Sequence, residues 1–120
     1  MSKKKIIIAD DDPAICESMT MILEDAGYNV TTTNGHQLID YTNSMSPDLI
    51  LLDIWMSGID GRDICRYLKK QESTKNIPII MISANRDVNE MAKLCGAEGF
   101  IEKPFNIRDL FSVVKKYIDN

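Results

Sequence analysis

Asp48-Leu49-Ile50-Leu51-Leu52-Asp53 decides the fold. Four consecutive large apolar residues stand between two acids. A run that short and continuous reads as a strand buried on both faces, as in a parallel sheet covered by helices. Asp48 follows Ser46-Pro47 and marks the entry to the strand; Asp53 marks the exit. Open parallel sheets bind ligands just outside the carboxyl ends of their strands. Asp53 is therefore placed for chemistry, although alone it could simply solvate a strand end.

Upstream, Lys4 to Ala9 reads as a first strand that stops at Asp10-Asp11-Asp12. Asp12 is a good N-cap and Pro13 suits the first helical position. Ile15, Met19, Ile22, Leu23 and Ala26 then recur at helical spacing until Gly27. Asn29 to Thr33 is a β-branched strand, and Asn34-Gly35 opens a second helix carrying Leu38, Ile39 and Met45. His36, the single histidine, reads as a surface residue at that helix start.

Downstream, Gly58 and Gly61 mark residues 54–61 as a loop. A third helix with Ile64, Cys65 and Leu68 reaches about Gln71. Ile77 to Ser83 is a fourth strand, with Pro78 at its start, where a missing donor is tolerated. Asp87-Val88-Asn89-Glu90 has the pattern of a capping box for a helix closed by Gly96. Gly99 to Glu102 is a short fifth strand, and Asn106 caps a last helix with Ile107, Leu110, Phe111, Val114, Tyr117 and Ile118 on its apolar face.

Five strands alternating with five helices predict an α/β fold, a parallel sheet with helices on both faces. At 120 residues the whole chain, 1–120, is expected to form one domain. The net charge of -4 argues against nucleic acid binding by this domain alone, because phosphate backbones need a basic face. No segment has the roughly 18 uninterrupted apolar residues of a membrane span, and the apolar run after the N-terminal lysines is too short for a signal peptide. Cys16, Cys65 and Cys95 lack Cys-x-x-Cys spacing, which points to reduced, structural cysteines in a cytoplasmic protein.

Residues able to do chemistry fall at four strand ends: Asp10 and Asp11 after the first strand, Asp53 after the third, Ser83 after the fourth and Lys103 after the fifth. A parallel sheet brings these ends to one edge. Crowded carboxylates repel and are forced toward protonation. A divalent cation such as magnesium removes that conflict, taking one or two carboxylates plus waters and phosphate oxygens. A hydroxyl and an ammonium nearby complete a site for an anionic group, with phosphoryl the best match.

With these residues in place, the chain resembles a response-regulator receiver domain of bacterial two-component signalling. The likeness runs from residue 4 to 118 and rests on Asp10-Asp11, Asp53 after its apolar strand, Asp60-Gly61, Ser83-Ala84 and Lys103-Pro104-Phe105. It implies a flavodoxin-like, doubly wound sheet of order 2-1-3-4-5. It implies Asp53 as phosphoryl acceptor from a sensor histidine kinase or histidine phosphotransfer protein. Asp11, Asp53 and the Trp55 carbonyl would bind Mg2+, with Asp10 acting largely through water. Ser83 would bond a phosphoryl oxygen, and Lys103, before a cis proline, would pair with Asp53. Phe100 would be the switch aromatic, altering the face made by the helix around 87–96, the fifth strand and the last helix. The chain would be a phosphoacceptor that assists its own reactions, not an enzyme.

It departs from the family at Ser57, where proline is usual, and carries Trp55 and Asn85 at positions that tune hydrolysis of the phosphoryl group. Two other classes fit less well. A haloacid dehalogenase-like phosphatase needs Asp-x-Asp-x-Thr/Val, which Asp10-Asp11-Asp12-Pro13-Ala14 fails at the fifth position. A flavodoxin-like cofactor binder needs a Gly/Ser/Thr-rich loop after the first strand, where this chain has acids. A pseudo-receiver working without phosphate is disfavoured by the complete acid set.

Overall fold

A computed structural model describes residues 3–56, 58–84 and 95–118. In chain order these form β1 (Lys5–Ala9), α1 (Pro13–Asp25), β2 (Asn29–Thr33), α2 (Leu38–Met45), β3 (Leu49–Asp53), β4 (Trp55–Met56), β5 (Ile59–Asp60), α3 (Gly61–Lys70), β6 (Ile79–Ser83), β7 (Gly99–Glu102) and α4 (Ile107–Ile118). The helix expected around 87–96 lies outside the described residues, apart from Cys95 and Gly96 near its end.

The main sheet has five parallel strands in the order β2-β1-β3-β6-β7, the 2-1-3-4-5 order of a flavodoxin-like fold once β4 and β5 are set aside. β3 is central and all five of its residues are buried. Leu49, Ile50, Leu51 and Leu52 are completely removed from solvent, which stabilises the fold by about 1.5–3 kcal/mol for each side chain. Successive residues face opposite sides of a strand. Ile50 and Leu52 accordingly join Leu38, Ile64, Cys65 and Leu68 beneath α2 and α3. Leu49 and Leu51 join Met19, Leu23, Leu110, Val114 and Ile118 beneath α1 and α4. One uninterrupted apolar run thus feeds two cores.

At the amino edge of the sheet, acids are used as fasteners. The Asp48 carboxylate accepts from the Lys5 amide at 2.8 Å, and Lys5 Nζ donates to the Met45 carbonyl at 3.1 Å. Glu98 accepts from the Ile79 amide at 2.8 Å and from Lys69 Nζ at 2.7 Å. Lys69 Nζ also donates to the Ile77 carbonyl at 2.7 Å, tying α3 to the entry of β6.

Three boundaries differ from the sequence expectation. α2 begins at Leu38 because Gly35 to Gln37 are used in a turn, in which the Asn34 side chain accepts from the His36 amide. β6 begins at Ile79 and not at Ile77 because the Ile77 amide is used in a turn, donating to the Thr74 carbonyl at 3.0 Å, while Thr74 is buried with its hydroxyl donating to the Leu68 carbonyl. Within residues 54–61, Trp55–Met56 pairs antiparallel with Ile59–Asp60. Ile54 and Met56 are buried, and that apolar anchoring overrides the loop signal of Gly58.

Candidate functional site

Extensions of the backbone ladder position each residue at the carboxyl edge. The Asp10 amide donates to the Thr33 carbonyl, so the chain leaves β1 in line with β2. The Ile54 amide donates to the Ile82 carbonyl just past Asp53, and the Lys103 amide to the Ser83 carbonyl just past β7. Asp12 is the N-cap expected, its Oδ1 accepting from the Ala14 and Ile15 amides. It therefore belongs to the helix, while Asp10 and Asp11 belong to the edge.

Asp10, Asp11 and Asp53 each present a carboxylate oxygen within 4.8 Å of the others. Asp10 and Asp53 are buried and Asp11 is exposed. Lys103 Nζ reaches into this group and donates to Asp10 Oδ2 at 2.8 Å, with Asp53 Oδ2 at 3.6 Å. The expected pairing with Asp53 is thus the longer of two contacts. The fully buried Asp10 side chain, whose other oxygen accepts from the Asp12 amide at 2.9 Å, takes the ammonium first.

Electrostatics follow from this packing. Burial pushes the Asp53 carboxyl up to about 6, the negative charges of Asp10 and then Asp11 adding to the effect and Lys103 opposing it. Burial works against the charge of Lys103, but its bond to Asp10 and the charges of Asp10 and Asp53 outweigh it and raise its pKa. The three carboxyl groups carry more negative charge than one ammonium neutralises. Hard oxygen donors with this excess charge fit a divalent cation of the magnesium kind.

Ser83, the last residue of β6, is buried beside this edge. The Lys103-Pro104 bond is cis, as the resemblance implied. Phe100 is 39% exposed and, with Ile101, Asp109 and Val113, lines a groove of about 460 Å³. Asn85 lies outside the described residues, as does Ser57.

The approach of α3 to β3 gives Gly61 its role. A Cβ there would overlap the backbone carbonyl oxygen of Asp53, and the Gly61 amide donates to the Ile54 carbonyl at 2.6 Å. Sequence reading missed a further cluster here. The Arg62 guanidinium lies 4.8 Å from the centre of the Trp55 ring and bonds both carboxylate oxygens of Asp60, with Nη2–Oδ2 at 2.7 Å. No local pattern announces such a stack, because Trp55 and Arg62 are seven positions apart and meet only through the β4–β5 pairing.

A family model described as the response regulator receiver domain matches residues 6–115. The DNA-binding response regulator MtrA of Mycolicibacterium smegmatis is 30% identical over 116 residues, 94% of this chain and 50% of that protein. The chain thus spans about half the length of this curated relative. A putative response regulator of Chloroflexus aurantiacus superposes with a TM-score of 0.93 at 26% identity, covering 99% of this chain and 100% of that one. The receiver domain of a Pseudomonas aeruginosa sensor histidine kinase, whose structure holds a magnesium ion in the active-site cleft, superposes with a TM-score of 0.90 at 25% identity, covering 99% of this chain and 100% of that one.

Proposed function

Because this chain belongs to the response-regulator receiver family of two-component signalling, we propose that Asp53 is its phosphoryl acceptor and that Asp10, Asp11, Ser83 and Lys103 serve that reaction. The observation that carries the reading is the meeting of Asp10, Asp11 and Asp53 within 4.8 Å, with Lys103 Nζ against two of them. The donor is a phosphohistidine on a sensor histidine kinase or a histidine phosphotransfer protein. An Asp53 carboxylate oxygen attacks phosphorus in line; the new O–P bond forms as the P–N bond to imidazole breaks, and the donor histidine leaves with the electron pair.

Lys103 offsets charge on the phosphoryl oxygens, and the Ser83 hydroxyl donates to one of them. Asp11, Asp53 and the Trp55 carbonyl would hold magnesium, with Asp10 acting largely through water, and the ion would supply positive charge against which an anionic donor can approach an acidic edge. Catalysis here is positioning plus electrostatics on the acceptor itself, so the domain assists its own phosphorylation and dephosphorylation without turning over a substrate as an enzyme does.

The output is a shift in population. Ser83 moves toward the phosphoryl group, Phe100 turns in from its exposed position, and the face carrying β7 and α4 changes its affinity for a partner protein. Among the described residues no helix is long and apolar enough to cross a membrane. Cys16, Cys65 and Cys95 are not disulfide-bonded, which supports a cytoplasmic setting.

The test is intact mass after incubation with acetyl phosphate and magnesium. One added phosphoryl group is expected, and none on Asp53→Asn. Equal labelling of that variant would remove Asp53 as acceptor.

A further inference from the structure

Trp55 is half exposed between two buried neighbours, Ile54 and Met56. Its backbone is paired with Asp60, and its indole is covered by Arg62. Arg62 is itself held: Asp60 Oδ1 accepts from the Arg62 amide at 2.9 Å and from Nε at 2.9 Å, while Oδ2 accepts from Nε at 3.1 Å and Nη2 at 2.7 Å. Trp55, Asp60 and Arg62 thus close a ring joined by backbone pairing, a forked ion pair and a cation–π contact. On its inner side, the Gly61 amide bonds the Ile54 carbonyl, one residue from Trp55.

We infer that Arg62 is a positioning residue for the magnesium site, acting through Trp55. This rests on the reading of the three-acid edge as that site, with residue 55 supplying a backbone ligand. Both neighbours of Trp55 are fixed by burial, but residue 55 points its side chain to solvent, and the stack under Arg62 is what holds that side chain. Residue 55 lies two positions from Asp53, so its backbone orientation and that of the acceptor strand end are coupled. With the stack formed, the carbonyl is set before the ion arrives and binding costs less ordering. The role requires a planar fork that can grip Asp60 and lie on an indole together, which lysine cannot do.

The test is calorimetric magnesium affinity for wild type, Arg62→Ala, Arg62→Lys, Trp55→Ala and the double variant Arg62→Ala/Trp55→Ala, with thermal melts alongside. Arg62→Ala is expected to weaken magnesium about threefold to fivefold, in proportion to an exposed cation–π contact. Arg62→Lys should recover less than half of that loss, although it keeps the charge. In the Trp55→Ala background, removing Arg62 should change affinity no further, because the path through residue 55 is already broken.

A merely structural Arg62 would lower the melting temperature and leave magnesium affinity unchanged, which overturns the inference. Equal weakening in both backgrounds overturns it too, because Arg62 would then act directly on the ion's field. Full recovery by lysine has the same consequence. If wild type binds no magnesium, the three-acid reading fails and takes this inference with it; if wild type binds and Arg62→Ala binds equally well, only the inference fails.

Discussion

The two edges of the sheet use the same residue types to opposite ends. At the amino edge, Asp48 serves the Lys5 amide, and Glu98 serves Lys69 and the Ile79 amide, so acids and donors are matched. At the carboxyl edge, Asp10 and Asp53 compete for the single ammonium of Lys103, with Asp11 beside them. Matched charge ties strands to their connections. Unmatched negative charge favours a bound cation. The fold places its fasteners and its candidate site at opposite ends of the same strands.

The largest expected contrast is chemical. Asp53→Asn should lose all labelling by acetyl phosphate, whereas Asp48→Asn, at the other end of the same strand, should label at a normal rate by intact mass. Labelling lost in both would mean that the edges are not separable.

Next is the central cation. Without metal, Lys103→Ala should destabilise the protein by about 2–3 kcal/mol, since the buried Asp10 loses its partner and the carboxyls escape only by taking up protons. Magnesium should recover part of that loss in urea melts, because the acids that bind it remain. Absence of magnesium binding in this variant would contradict the division of roles between acids and lysine.

Lys69→Met, at the amino edge, should cost about 1–2 kcal/mol through the bonds to Glu98 and the Ile77 carbonyl. Magnesium should stabilise this variant and wild type equally and leave the difference between them unchanged. A larger gain from magnesium in this variant than in wild type would show the amino edge coupled to the site.

The smallest effect is a pH slope. Asp53 titrates near 3.8 when unfolded and about 6 when folded, so between those values the folded protein holds more protons. Stability without metal should therefore fall as pH rises from about 4 to about 6, by about 1 kcal/mol after allowance for solvent and Lys103. Asp53→Asn should flatten the slope in chelator-treated urea melts; an unchanged slope would assign it to another group.

What could be read from the chain follows from the same contrast. β3 and β6 are buried on both faces, and their unbroken apolar runs announce them; α4 announces itself through Leu110, Val114 and Ile118 on one face. The site acids were legible because position in a parallel sheet, not side-chain detail, brings strand ends together. The β4–β5 pair was not, since two-residue strands are too short for any period to register, and Gly58 within them reads as a break. Nor was the preference of Lys103 for Asp10, which turns on less than an ångström. The stack of Arg62 on Trp55 depends on rotamers chosen after the chain has folded, and the buried Thr74 looked like any polar turn residue.

The contact of Gly61 with the Asp53 carbonyl has a consequence for transplantation. An aspartate moved from position 53 into another parallel sheet would arrive without the close approach of Gly61 to its backbone carbonyl. A Cβ at position 61 meets that carbonyl, and the Gly61 amide holds the next one along. Positions 53 and 61 would therefore have to move together as one unit, with Asp60 to start the helix behind them. Random mutagenesis should reveal the same unit: position 61 should accept almost nothing, although it carries no side chain and takes no part in the chemistry.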